Sequence, residues 1–266
     1  MKVTVADGVG LNVLHTAGPS APAFVLVHGL ASNARLWSSV AAELAAAGYP
    51  SYAVDLRGHG ESDLPATGFS TAAAAADLAS VISSLGLRQP VVAGQSWGGN
   101  VVVRLAATHP GLVGALALVD GGWIDLPSVF GSWSACAAAL RPPSLDGLLA
   151  SDFRARLRSG HPDWSAEAVE ATLANLRVGP DGRLSRRLPI PRHMEILRSM
   201  YDEPPARFYP ALTMPVLLMP AGRGVPSPSV ALIPSSRVSP YPGGDHDLHA
   251  QQPASVAADL LSLVRS

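Results

Sequence analysis

Apolar positions along the 266-residue chain fall into two alternating textures. Short continuous runs rich in branched residues end in Gly, His or Asp, and longer stretches with apolar residues three and four apart follow them. Val3-Thr4-Val5 and Leu11-Asn12-Val13-Leu14 predict two antiparallel strands turning through Asp7-Gly8. Phe24-Val25-Leu26-Val27 is apolar throughout, as a strand covered on both faces must be, and it ends in His28-Gly29. A helix over residues 34–47 follows, with Leu36, Val40 and Leu44 on one face and Gly48 as its stop. The spacing then predicts a strand over 51–55, a helix over 71–85 and a strand over 90–94. After these come a helix over 101–109 and a strand at Leu116-Ala117-Leu118-Val119 ending in Asp120. Strands alternating with helices of this length give right-handed crossovers and a mainly parallel sheet flanked by helices, an α/β fold.

From Trp123 to about Tyr209 the texture changes. Helical patches at 145–157, 166–176 and 193–200 are separated by Pro and Gly, with no convincing strand. Residues 123–209 are therefore read as a helical cap inserted after the sixth strand, and 1–122 with 210–266 as one core domain. The strand pattern resumes at Pro215-Val216-Leu217-Leu218-Met219 and near Arg237-Val238-Ser239. An amphipathic helix over 253–264 closes the chain, with Val256, Leu260, Leu263 and Val264 inward.

Composition narrows the function. Hydrophobic residues make up 48% and charged residues 15%, which favours a well-buried globular domain over disorder. A formal net charge of −1 gives no reason to expect a nucleic-acid or anionic-membrane partner. The single Cys136 allows no internal disulfide, and no apolar run reaches bilayer-spanning length, so the default reading is a cytoplasmic protein. The eight histidines show no metal-ligand spacing; neither metal nor cofactor is expected.

The strongest local signal is Gly94-Gln95-Ser96-Trp97-Gly98, a G-x-S-x-G pattern between a strand and a helix. Such a turn lifts a serine hydroxyl into the cleft beyond the strand ends, where ligands of parallel sheets bind. A serine hydroxyl needs a general base. His246, in Gly243-Gly244-Asp245-His246-Asp247 after the last strand, is placed to reach it, with His249 as the rival.

Taken together, His28-Gly29, the segment Asp55-Leu56-Arg57-Gly58-His59-Gly60-Glu61-Ser62, the turn at Ser96 and the run from Gly243 to His246 resemble the α/β-hydrolase superfamily in content and order. The resemblance implies an eight-stranded sheet with a helical cap. It also implies an oxyanion hole made by the backbone N–H groups of Leu30 and Trp97. By the same match Asp55, Arg57 and His59 brace a loop rather than act in chemistry, and His28 orients the oxyanion loop.

One departure stands out. The superfamily usually carries its acid just after the seventh strand, and here that segment reads Pro220-Ala221-Gly222-Arg223-Gly224-Val225-Pro226. Asp120, after the sixth strand, is the leading replacement, at the strand end used by members resembling haloalkane dehalogenases. Asp245 and Asp247, or a dyad completed by water or backbone, remain alternatives. The expected activity is a serine hydrolase cleaving a carboxylic ester, lactone or thioester through an acyl-enzyme. C–C hydrolysis, perhydrolysis, a cyanohydrin-type lyase and a receptor with a residual hydrolase site are the other readings. Trp123, Phe130 and Trp133 in the cap are candidate contacts for an apolar acyl substrate.

Overall fold

The computed structural model describes residues 1–222 and 228–264. Its strands are β1 (Lys2–Thr4), β2 (Gly10–Thr16), β3 (Phe24–Val27), β4 (Ser51–Val54), β5 (Val91–Gln95) and β6 (Ala115–Val119). Between the later ones run α1 (Ser38–Ala46), α2 (Thr71–Ser84) and α3 (Trp97–Thr108). Five helices follow β6: α4 (Leu126–Phe130), α5 (Trp133–Ala139), α6 (Ala150–Gly160), α7 (Ala166–Leu173) and α8 (Ile190–Asp202). A small antiparallel hairpin, β7 (Leu176–Val178) with β8 (Leu184–Arg186), lies between α7 and α8. β9 (Val216–Met219), β10 (Ser236–Val238), α9 (Leu248–Gln251) and α10 (Pro253–Ser262) complete the chain.

The main sheet has eight strands in the order β1-β2-β4-β3-β5-β6-β9-β10. β1 and β2 pair antiparallel, as does β2 with β4, and every later neighbour is parallel. Alternation along β3 explains the layers. Val25 and Val27 join a core with Leu78 and Ile82 of α2 and Val101 and Leu105 of α3. Phe24 and Leu26 join another with Val40 and Leu44 of α1 and Val256 and Leu260 of α10. All four β3 side chains are fully buried, so no polar residue is tolerated there.

Several boundaries differ from the sequence expectation. The first predicted helix opens as a 3-10 turn, Ala34–Trp37, because Asn33 caps it by accepting from Arg35 N. The third begins at Trp97, immediately after Ser96, rather than at residue 101. The 123–209 region contains the β7–β8 hairpin in addition to helices, and it gains α4 and α5 early. Between β9 and β10 only a 3-10 turn, Pro228–Leu232, is described; the 223–227 part of the acid-poor segment lies outside the described residues.

The loop after β4 is locked by its own charges. Asp55 accepts from Asn12 Nδ2, Ala34 N and Glu61 N at 2.7–3.0 Å. Arg57 grips both carboxylate oxygens of buried Asp77, at 2.7 and 2.6 Å, and also reaches Asp7. His59 has both ring nitrogens engaged, one with Arg57 O and one accepting from Ala31 N. Burial holds it neutral, with its pKa pushed down to about 3. His28 likewise accepts from Leu56 N and bonds Gly29 O. These two neutral imidazoles and Asp55 thus fix the backbone of residues 29–34 from three sides. Among the described residues, no helix is long and apolar enough to cross a membrane.

Candidate active site

The sheet register sets the site. Val27 of β3 faces Gly94 of β5, Gln95 faces Val119 of β6, and Val119 faces Met219 of β9. The residues that follow, Ser96 and Asp120, therefore emerge side by side at the carboxyl edge, about one strand spacing apart. Ser96 N donates to Val119 O at 3.1 Å, which ties the two ends together.

Ser96 sits at φ 52°, ψ −124°, a conformation that disfavours side chains and turns strand directly into helix. The surrounding glycines are required by contact. A Cβ on Gly98 would meet His28 O at 2.5 Å, and one on Gly121 would meet Ser96 O at 2.2 Å. Asp120 is itself at φ 40°, a second non-glycine residue in the left-handed region at the same edge.

His246 Nδ1 lies 2.6 Å from Asp120 Oδ2, and the other carboxylate oxygen accepts from Ala221 N at 2.9 Å. Asp120 is thereby held at both oxygens. The hydrogen bond to Asp120 raises the His246 pKa above its ordinary value, against the lowering effect of partial burial. The His246 backbone is anchored separately: Gln95 Nε2 donates to its carbonyl at 3.0 Å. Among the described residues no hydrogen bond joins Ser96 Oγ to His246, a distance that often tightens only with substrate bound.

The rival histidine is disposed of by its surroundings. His249 is fully buried, lies tilted against Trp37 with ring centroids 4.4 Å apart and has no partner on either nitrogen among the described residues. Burial drives its pKa down to about 3. Asp245 pairs with His161 of the 123–209 region at 2.7 Å instead of with His246. Burial raises the Asp247 carboxyl pKa, and neither it nor Asp245 contacts the His246 ring by hydrogen bond. Leu30 follows His28-Gly29 on the braced loop, and Trp97 is the first residue of α3, whose N–H has no intrahelical acceptor. Trp97 is buried, with Nε1 bonded to Thr71 Oγ1.

Trp123, Phe130 and Trp133 are all half-buried against the main core. Trp133 meets Tyr201 edge-on and lies under the Arg198 guanidinium, so part of its ring is committed to packing against α8. Tyr209 OH donates to Gly122 O and Asn100 Nδ2 to Ile124 O, tying the two ends of the 123–209 region to the sheet edge and α3. Among the described residues no group of three His, Cys, Asp or Glu side chains is arranged to hold a metal ion.

Sequence reasoning missed Gln95 and the Ala221 N–H. Gln95 occupies a variable position of the turn motif, and its partner is 151 residues away. A backbone donor leaves no side-chain signature at all.

A serine on a strained strand-to-helix turn lies at the same sheet edge as an Asp-His pair, and the comparisons agree on the fold. A family model described as alpha/beta hydrolase fold matches residues 22–220, three quarters of the chain, ending before His246. The chain belongs to the alpha/beta hydrolase fold family. It is similar to Esterase Rv0045c of Mycobacterium tuberculosis, 42% identical over 104 residues, covering 39% of this chain and 34% of that protein. It is similar over 95% of its length, at 26% identity, to a Bacillus subtilis protein provisionally named 2-succinyl-6-hydroxy-2,4-cyclohexadiene-1-carboxylate synthase, 94% of which is covered. Among solved structures, E-2-(acetamidomethylene)succinate hydrolase superposes with TM-score 0.82 at 23% identity, over 100% of this chain and 98% of that one. The chain spans about a third of the length of the first curated relatives it matches.

Proposed function

We propose that the protein is a serine hydrolase that cleaves a carboxylic ester, lactone or thioester through an acyl-enzyme. The observation that carries this reading is the 2.6 Å Asp120–His246 pair at the same sheet edge as Ser96 on its strained turn. The partial similarity to an esterase supports the bond type. Ser96 Oγ attacks the acyl carbon as His246 takes its proton, and Asp120 steadies the imidazolium that forms. The oxyanion is held by the N–H groups of Leu30 and Trp97, and the positive end of α3 favours it further. The imidazolium returns its proton to the departing alcohol or thiol. Water, activated by the same base, then releases the acid. Residues 123–209 act as the lid, and Trp123, Phe130 and Trp133 supply apolar surface toward the acyl chain.

The Bacillus subtilis relative, matched over nearly its whole length, bears the name of a synthase, which favours a non-hydrolytic reaction at the same Ser-His pair as the second reading. Stopped-flow hydrolysis of 4-nitrophenyl acetate separates the two. A burst of about one nitrophenolate per chain, with a matching acetyl adduct by intact mass that Ser96→Ala abolishes, is the expected result. Turnover without a burst or adduct, or activity retained in Ser96→Ala, would remove the acyl-enzyme.

A further inference from the structure

Between the lid and the braced loop lies a small cavity of about 30 Å³ that the chemistry described so far does not use. Ala31, Ser32, His59 and Gly60 line it from the core, and Arg186, Arg187 and His193 are among the groups facing it from the lid. Its polar groups are unequally satisfied. Arg187 is spent on Glu61, Gly60 O and Ala174 O. Arg186 makes no ion pair among the described residues; its one hydrogen bond goes to a neutral acceptor, Pro143 O. It is half-buried, and it also borders a wider groove of about 630 Å³ beside Ser144 and Ile190. The Ser32 hydroxyl is buried with no hydrogen-bond partner among the described residues. The His193 imidazole makes no hydrogen bond among the described residues, and burial together with the Arg186 charge lowers its pKa to about 4.

A half-buried guanidinium without a carboxylate partner among the described residues, lining the same cavity as an unsatisfied buried hydroxyl, suits an anionic acceptor. Arginine suits a planar two-oxygen acceptor, to which it donates two parallel hydrogen bonds. The volume admits a single group of a few atoms. The cavity is also close to the chemistry: Ala31, which lines it, follows Leu30 directly, with consecutive Cα atoms about 3.8 Å apart.

From these observations we infer that the cavity is a carboxylate subsite, and that the substrate is an ester or thioester carrying a second, free carboxylate near the bond that breaks. Arg186 is the recognising charge and Ser32 Oγ a supplementary donor. This assignment rests on the hydrolase reading for its kinetic consequence, but binding of the anion does not.

The test compares 4-nitrophenyl hemisuccinate with 4-nitrophenyl butyrate, which share a leaving group and differ in the terminal carboxylate. The wild-type protein should favour the hemisuccinate in kcat/KM. Arg186→Gln should reduce that preference at least about tenfold, the usual consequence of losing a charged hydrogen bond, and Arg186→Lys should restore part of it. Calorimetric titration with succinate on the same full-length proteins should give binding that Arg186→Gln weakens by a similar factor, with melting temperatures confirming that the variants fold. Turnover of both esters with no preference, or a preference that survives Arg186→Gln, overturns the subsite and leaves the hydrolase standing. If neither ester turns over, the hydrolase reading fails and succinate binding decides the subsite: Arg186-dependent binding retains it, and none overturns it.

Discussion

The carboxyl ends of β4 and of β5 and β6 carry residues of the same chemical kinds, yet they are built for opposite purposes. After β4, Asp55 takes three donors, Arg57 spans two carboxylates and His59 uses both ring nitrogens. Their bonds are spent almost wholly on neighbouring groups of the protein. After β5 and β6, Asp120 is equally well held, but the ring it orients is about half exposed (54%) and has no partner opposite Asp120 among the described residues. The carboxylate fixes one side of His246 and leaves the other to act. Chemistry-bearing residues in one edge of a sheet are thus told apart by what remains unpaired after folding.

The largest effect that comparison predicts is at Asp120. Asp120→Asn keeps an oxygen for the Ala221 N–H but loses the charge that stabilises imidazolium and its tautomer. kcat for a short ester should fall by about 10³–10⁴ with little change in melting temperature. Activity within tenfold of wild type would move the acid elsewhere. The loop after β4 should respond in the reverse sense. Asp77→Ala leaves the buried Arg57 charge with only the exposed Asp7 carboxylate as ion partner, the Arg57–Asp77 side chains being only 5% and 4% exposed, and should cost about 3 kcal/mol of unfolding free energy. Denaturant titration measures that loss. In the fraction that remains folded, kcat should stay within about tenfold of wild type, and a collapse as deep as that of Asp120→Asn would mean the loop takes part in the reaction itself.

Much of this was legible in the chain before any coordinates. Ser96 was readable because its demands are local: two glycines, a preceding strand and a following helix within a dozen residues. The parallel strands were readable because burial on both faces leaves no polar position, as in β3. Asp120 is favoured by its place after the sixth strand and by the lack of a carboxylate in the 220–226 segment, and what the sequence hides is that Ala221, just beyond β9, supplies an N–H to it. The β7–β8 hairpin escaped because its strands are three residues long, and residues such as Arg177, Val178 and Ser185 are exposed, giving no alternation to read. Arg186 and Ser32 carry no signal in the sequence either; only the fold brings them to line one cavity.

The account stands most directly on whether Ser96 is a nucleophile driven by His246. The measurement is intact mass after exposure to a fluorophosphonate probe, followed over time between pH 5 and 9, with Ser96→Ala as control. One adduct per chain is predicted, lost in Ser96→Ala. Because a proton on His246 disables the base and the Asp120 bond raises its pKa, the labelling rate should fall with acidification through a midpoint above the ordinary histidine value of 6.5. No adduct on folded protein, or an adduct that persists in Ser96→Ala, would contradict it.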